Sequence, residues 1–263
     1  MAGEEAGASL QRARSASGDD LELLIHEAAT DTLIALLENP NMQEPQVSRL
    51  LERLDISTEV LTAVAKEGKW TSSESVRLRL ARHPRTPSRI ATSMLRQIYL
   101  FDLVRLSLLP SAPADIRRAA EELIVTRVPH LPIGEKLTLA RRGPARVAAA
   151  VLAEGHPQAV KLALLNSHLT ESQILKILAK PEISARVVTA IAQHAKWSVQ
   201  YNVRVALLRN PHTPVPAVLQ FLPDITLRDL KDALTLEELG PHFRKYIEQE
   251  LVRRADDAEQ DVL

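Results

Sequence analysis

Displaced along itself by a 127-residue offset, this sequence matches itself. The stretch from Ile56 to Pro87 falls on Ile183 to Pro214 without a gap, and 15 of its 32 pairs are identical. The identities include Lys69-Trp70 with Lys196-Trp197, Arg77 with Arg204, Arg82 with Arg209, and Thr86-Pro87 with Thr213-Pro214. Sparser matches extend the register upstream through Asn39/Asn166 and Glu44/Glu171, and downstream through Asp102/Asp229 and Arg117/Arg244. A chain of 263 residues is therefore nearly filled by two copies of one unit. Repeated units bury their apolar faces on their neighbours, which favours elongated binding surfaces over enclosed catalytic clefts.

Composition narrows the chemistry. Hydrophobic residues make up 45% of the chain but aromatic ones only 3%, so Leu, Ala, Val and Ile do the packing. There is no cysteine, which removes disulfides, thiolate metal ligands and thiol nucleophiles together. The first residues are polar and include Glu4 and Glu5, unlike a signal peptide. No apolar run approaches the ~18 residues that a membrane span requires. A monomeric cytoplasmic protein without a membrane segment is the expectation.

The secondary structure is punctuated by proline. Glu44-Pro45, Thr86-Pro87, Ala112-Pro113, Gly143-Pro144, Thr213-Pro214 and Gly240-Pro241 mark helix starts, where the missing N–H of proline costs nothing. Thr86 and Thr213 are expected to cap the helices that follow them, and Thr170 with Gln173 reads as a capping box. Between these stops, segments such as VLTAVAKEG, QILKILAK and VVTAIAQHA place apolar residues at helical spacing, and no segment alternates with period two. We therefore expect an all-α chain of about 14 to 17 helices. Helices this short are unstable alone and require lateral packing. The expected organisation is a disordered tail over 1–18, helical halves over 19–127 and 128–254, and an acidic tail over 255–263.

Two segments, VRLRLARHPRTPSRIATSML from Val76 and VRVALLRNPHTPVPAVLQFL from Val203, share a core of Asn or His, Pro, any residue, Thr and Pro. They resemble the leucine-rich repeat variant unit and, more broadly, HEAT-like helical repeats. The close match is confined to these two segments, and adjacent units are less uniform than in those repeats. The resemblance implies an α-solenoid, a right-handed superhelix of short antiparallel helix pairs, and implies no catalytic chemistry or cofactor.

Charge is segregated along the chain. Residues 1–76 carry 6 basic and 14 acidic side chains, whereas residues 77–161 carry 15 basic and 6 acidic ones. Thirteen of those 15 are Arg, whose planar fork suits phosphate or carboxylate. The positions shared by both copies, Trp70, Trp197, Arg77, Arg204, Arg82 and Arg209, read as structural: tryptophan plugs between helices, and arginines bracing the proline turns. The unshared arginines Arg79, Arg85, Arg89, Arg96, Arg105, Arg118, Arg141, Arg142 and Arg146 are the candidates for a partner- or anion-binding strip, with Tyr99 beside them for stacking. The competing reading is a solvated charge run whose field fades over about 8 Å at physiological salt. The eight histidines include no pair at helical metal-ligand spacing.

The sequence thus leads to a non-catalytic scaffold that binds a protein or peptide on the concave side of a solenoid. The alternative is nucleic-acid binding through the arginine-rich middle third. A DNA-repair glycosylase activity, as in HEAT-like enzymes, is a remote third reading without a residue-by-residue match.

Overall fold

A computed structural model describes residues 2–26, 29–235, 239 and 241–260. Among these residues there are nineteen α-helices, two short 3-10 turns and no strand. The chain is all-helical, and none of the described helices is long and apolar enough to cross a membrane. It divides into two compact units, Met1–Thr126 and Arg127–Leu263.

The first unit contains α1 (Ala2–Ser15), α2 (Gly18–Ile25), α3 (Thr30–Leu37), α4 (Glu44–Leu50), α5 (Thr58–Lys66), α6 (Gly68–Thr71), α7 (Glu74–Arg82), α8 (Ser88–Leu95), α9 (Leu100–Leu108) and α10 (Ala114–Arg127). Most helices here pack on the next but one. The helices α1, α3 and α5 make one row, and α2, α4 and α7 make another. Helix α5 shows how the sequence achieves this. Ser57 accepts the Val60 N–H at its start, and the stripe of Val60, Leu61 and Val64 is buried. These side chains join a core with Leu33, Leu36, Val47, Leu50 and Leu80 from both rows.

In the second unit the chain forms α11 (Ile133–Arg142), α12 (Ala145–Ala153), α13 (Pro157–Leu164), α14 (Glu171–Leu178), α15 (Ala185–Ala192), α16 (Tyr201–Leu208), α17 (Val215–Phe221), α18 (Leu227–Leu234) and α19 (Pro241–Gln260). Again there are two rows, α11–α13–α15 and α12–α14–α16. At the offset that carries Ile56 onto Ile183, the first residues of α12 to α19 coincide with those of α2, α3, α4, α5, α7, α8, α9 and α10, in that order. Towards its C-terminal end, Val218, Ile225, Leu230, Phe243 and Ile247 form a buried cluster.

Buried polar latches close the turns between rows. Asn39 Nδ2 donates to the carbonyls of Ala13 (2.7 Å) and Ala16 (2.9 Å), while its Oδ1 accepts the Asn41 N–H (2.8 Å). At the equivalent place in the second unit, Asn166 Nδ2 donates to Ala140 (2.8 Å) and Gly143 (3.0 Å), and Oδ1 accepts from His168 (2.7 Å). Asn210 bonds the Leu178 carbonyl and the His212 N–H in the same manner. Its counterpart is His83, whose Nε2 meets the Arg53 carbonyl at 2.8 Å and whose Nδ1 accepts the Arg85 N–H at 3.2 Å. A carbonyl can only accept, so the proton of this imidazole sits on Nε2.

Three sequence expectations are corrected. The expected tail over 1–18 is, from Ala2 to Ser15, the helix α1, which packs on α3, with Ala13 and Ala16 buried under the Asn39 latch. Thr86 and Thr213 do not cap the helices that follow. The Thr213 hydroxyl turns back to donate to the Leu207 carbonyl at 2.6 Å, closing α16 instead, and Thr86 is buried without a hydrogen bond to its hydroxyl. Acidic residues after Ala255 continue α19 as far as Gln260, and residues 261–263 lie outside the described ones, as does Gly240. The nineteen helices among the described residues also exceed the expected 14 to 17, with α1 and the one-turn α6 at Trp70 among those not foreseen.

Candidate functional site

The two shared tryptophans face inward. Trp70 and Trp197 are 3% and 2% exposed, and Trp197 Nε1 donates to the Leu164 carbonyl at 3.0 Å. Each ring is covered by the lysine before it, with Lys69 Nζ 4.3 Å and Lys196 Nζ 4.1 Å from the ring centroid. A buried indole roofed by its neighbour's ammonium holds a helix junction and offers no face to a ligand. Arg77 Nη1 donates to the carbonyls of Thr71 (2.6 Å) and Ser72 (2.8 Å) at the end of α6. Arg204 Nε reaches the equivalent Ser198 carbonyl at 2.7 Å, pairs with Asp224 and lies over the Phe221 ring. Both hold the turn that follows the tryptophan, and Arg77 does so at the carbonyl end of α6, where a cation is favoured. Arg82 and Arg209 are exposed, and the Asp229 carboxyl, held low by the Tyr201 and then the Thr226 hydroxyl, is lowered further by the charge of Arg209.

The unshared arginines do not act as one set. Arg79 pairs with Glu52 at 2.6 Å, and Arg85 Nη1 donates to the Asp55 carbonyl at 2.8 Å. Arg105 pairs with Asp102 at 3.0 Å, and Arg118 bonds the Ala114 carbonyl of its own helix. Arg96 and Arg146 are exposed and also have partners. This leaves Arg89, Arg141 and Arg142 exposed without a hydrogen bond or ion pair among the described residues. Tyr99, 72% exposed, donates its backbone N–H to Glu74 and presents its ring to solvent. Arg141, Arg142 and Arg146 belong to the second unit and the rest to the first.

Charged clusters elsewhere are internal braces. Hydrogen bonds from the Arg53 guanidinium hold the Asp55 carboxyl down at about 2, and Arg53 also reaches the Ile25 carbonyl. Hydrogen bonds from Arg253, and then Arg254, bring Glu250 on α19 to about 2. Arg254 uses its remaining donors on the carbonyls of Leu222, Pro223 and Ile225.

Two of the concave features among the described residues are grooves between neighbours of one row. Between α3 and α5 lies a groove of about 710 Å³, floored by Ile34, Leu37 and Ala63 and rimmed by Glu38, Glu59 and Glu67 with Lys66 and Lys69. Glu59 is held below the usual carboxylate range by its own backbone N–H and then by the Ser57 hydroxyl, so it carries its charge throughout neutral pH. Between α14 and α16 lies a groove of about 630 Å³ with Leu175, Leu178, Val205 and Ala206 on its floor and Lys180, Arg209 and His212 on its rim. The second groove had a trace in the sequence, the pairing of Arg79 with Ala206, but that contrast draws attention to the arginine. Compared with protein-family models, with curated proteins and with solved structures, the chain has no match.

Proposed function

We propose that the chain is an α-solenoid, built by duplication of a 127-residue helical-repeat unit, that acts in the cytoplasm as a non-catalytic scaffold for a protein or peptide partner. The observation that carries this reading is the packing of alternate helices into two rows within each unit. Rows of this kind extend by adding helices and expose grooves between row neighbours, so binding is built from area spread over several elements. The grooves at α3/α5 and α14/α16 have the apolar floors and charged rims of such surfaces.

The test is retention of proteins from a cell extract on the immobilised chain at about 0.15 and about 0.5 M salt, because capture driven by apolar area survives the higher salt whereas charge-driven capture is screened. We expect the same proteins at both concentrations, lost when Ala63→Arg or Ala206→Arg fills one groove. Retention that disappears at high salt and after nuclease treatment would overturn the scaffold in favour of nucleic acid, the reading that exposed Arg89, Arg141 and Arg142 support.

A further inference from the structure

The two units treat one position differently. In the first, Arg79 on α7 pairs with Glu52 after α4 at 2.6 Å, so an ion pair lies across the junction of these two helices. The equivalent positions of the second unit are Ala206 on α16 and Ala179 after α14. Both members of the pair are absent together. Loss of one alone would leave an unpaired charge, whereas loss of both leaves a strip of methyl groups. That strip, with Leu175, Leu178 and Val205, is the floor of the 630 Å³ groove between α14 and α16.

The charge around the strip has one sign. Lys180, Arg209 and His212 line the groove, and no carboxylate does. Two carboxylates outside this lining keep their charge, with oxygens turned to neutral donors. Glu171 accepts from Asn202 at 2.9 Å, and Asp229 accepts from the Tyr201 and Thr226 hydroxyls. An apolar trough between two helices, whose lining carries basic groups and no carboxylate, fits a helix with an apolar stripe flanked by carboxylates. The α3/α5 groove, lined by three glutamates and two lysines, lacks this one-signed border.

We infer that the groove between α14 and α16 is a docking site for an acidic amphipathic helix of a partner protein. The inference rests on the scaffold reading and gives one of its surfaces a ligand chemistry. The probe is a fluorescein-labelled 16-residue peptide of Leu, Ala and Glu with Leu on one helical stripe, compared with its Lys-for-Glu counterpart by fluorescence anisotropy. The acidic peptide is expected to bind the full chain at least tenfold more tightly than the basic one. The double substitution Ala179→Glu with Ala206→Arg rebuilds the ion pair of the first unit and should weaken binding at least tenfold. Because the fold already carries that pair at the equivalent place, the helical circular dichroism should be unchanged. A second variant, Lys180→Gln with Arg209→Gln, keeps the groove open and should lose the preference for acid over base.

Equal binding of the two peptides, or acidic-peptide binding that ignores the double substitution, would overturn the site. So would displacement of the peptide by a 16-nucleotide single strand that binds the double-substituted chain as tightly as the original, since that binding needs charge alone. If the acidic peptide does not bind while salt-resistant partner capture persists, this inference is wrong and the scaffold reading stands. Failure of both removes the scaffold as well.

Discussion

Asn39, Asn166, Asn210 and His83 do one job with two kinds of side chain. Each is buried, satisfies at least one carbonyl near the end of an earlier helix, and accepts the N–H two residues ahead. An amide does this at any pH, but the imidazole can do it only when neutral. Protonation would put a hydrogen on Nδ1 against the Arg85 N–H, beside the Arg85 guanidinium and close to the Arg53–Asp55 pair. Burial, and then the charge of Arg85, accordingly lower the His83 pKa, although the Arg53 carbonyl opposes the shift. The folded chain therefore binds this proton less readily than the unfolded one, where histidine titrates near about 6.5. Stability is full above the unfolded value and falls as pH drops from there through the folded pKa, with a slope of at most about 1.4 kcal/mol per pH unit. His194 is shifted the same way by burial and Lys196, so the measurement must compare variants. Urea unfolding between pH 7.5 and 5 should show a shallower pH slope for His83→Asn than for the natural chain. Identical slopes would mean that the imidazole is not the latch.

Helices and their ends show where sequence is sufficient and where tertiary packing decides. Row helices such as α5, α14 and α15 are legible because their apolar residues recur at helical spacing and the buried stripe follows that spacing. Helix α1 is not legible: its segment AGEEAGASLQRARS has few large apolar residues, and its helix is fixed by α3 and by the distant Asn39 amide that bonds the Ala13 carbonyl. The threonine turns mislead for a related reason. A hydroxyl before proline can serve the helix behind it as well as the one ahead, and at Thr213 the carbonyl of Leu207 is the partner. The end of α12 is a more exacting case. Gly155 has φ of +78°, follows the last residues of the helix, and has the Ser184 Oγ 2.9 Å from where a Cβ would stand. Left-handed backbone at a helix C-terminus is the place for glycine. Gly155→Ala should lower unfolding stability by about 1–2 kcal/mol, from the strained φ plus the displaced serine. Gly134, within α11 with open space around it, is the control: Gly134→Ala should be neutral or stabilising. Equal effects at both sites in denaturant melts would refute the assignment.

At the scale of the whole chain, segregated charge is the feature that sequence shows best and explains least. The excess of arginine from Arg77 to Arg146 is plain in one dimension, but a linear count cannot separate a free guanidinium from one that braces a turn. Of the nine candidates, Arg79, Arg85, Arg96, Arg105, Arg118 and Arg146 have partners within the fold, which leaves Arg89, Arg141 and Arg142 as exposed candidates without one among the described residues. This distinction has a measurable consequence. Binding to duplex DNA releases counterions in proportion to the phosphates neutralised, with a slope of about −0.9 per contact in log K against log salt. The three free candidates would contribute about −3 to the slope, a loss of roughly fortyfold between about 50 and 200 mM salt, whereas all nine acting together would contribute about −8. We expect filter retention of a duplex to be weak and to follow the shallow slope. We further expect Arg89→Gln to reduce that slope by about one, and Arg79→Gln to leave it unchanged while weakening the fold through loss of the Glu52 pair. A slope near −8, with Arg79→Gln reducing it as much as Arg89→Gln does, would show that the internal pairs open for a polyanion, and the protein would then have to be read as a nucleic-acid binder.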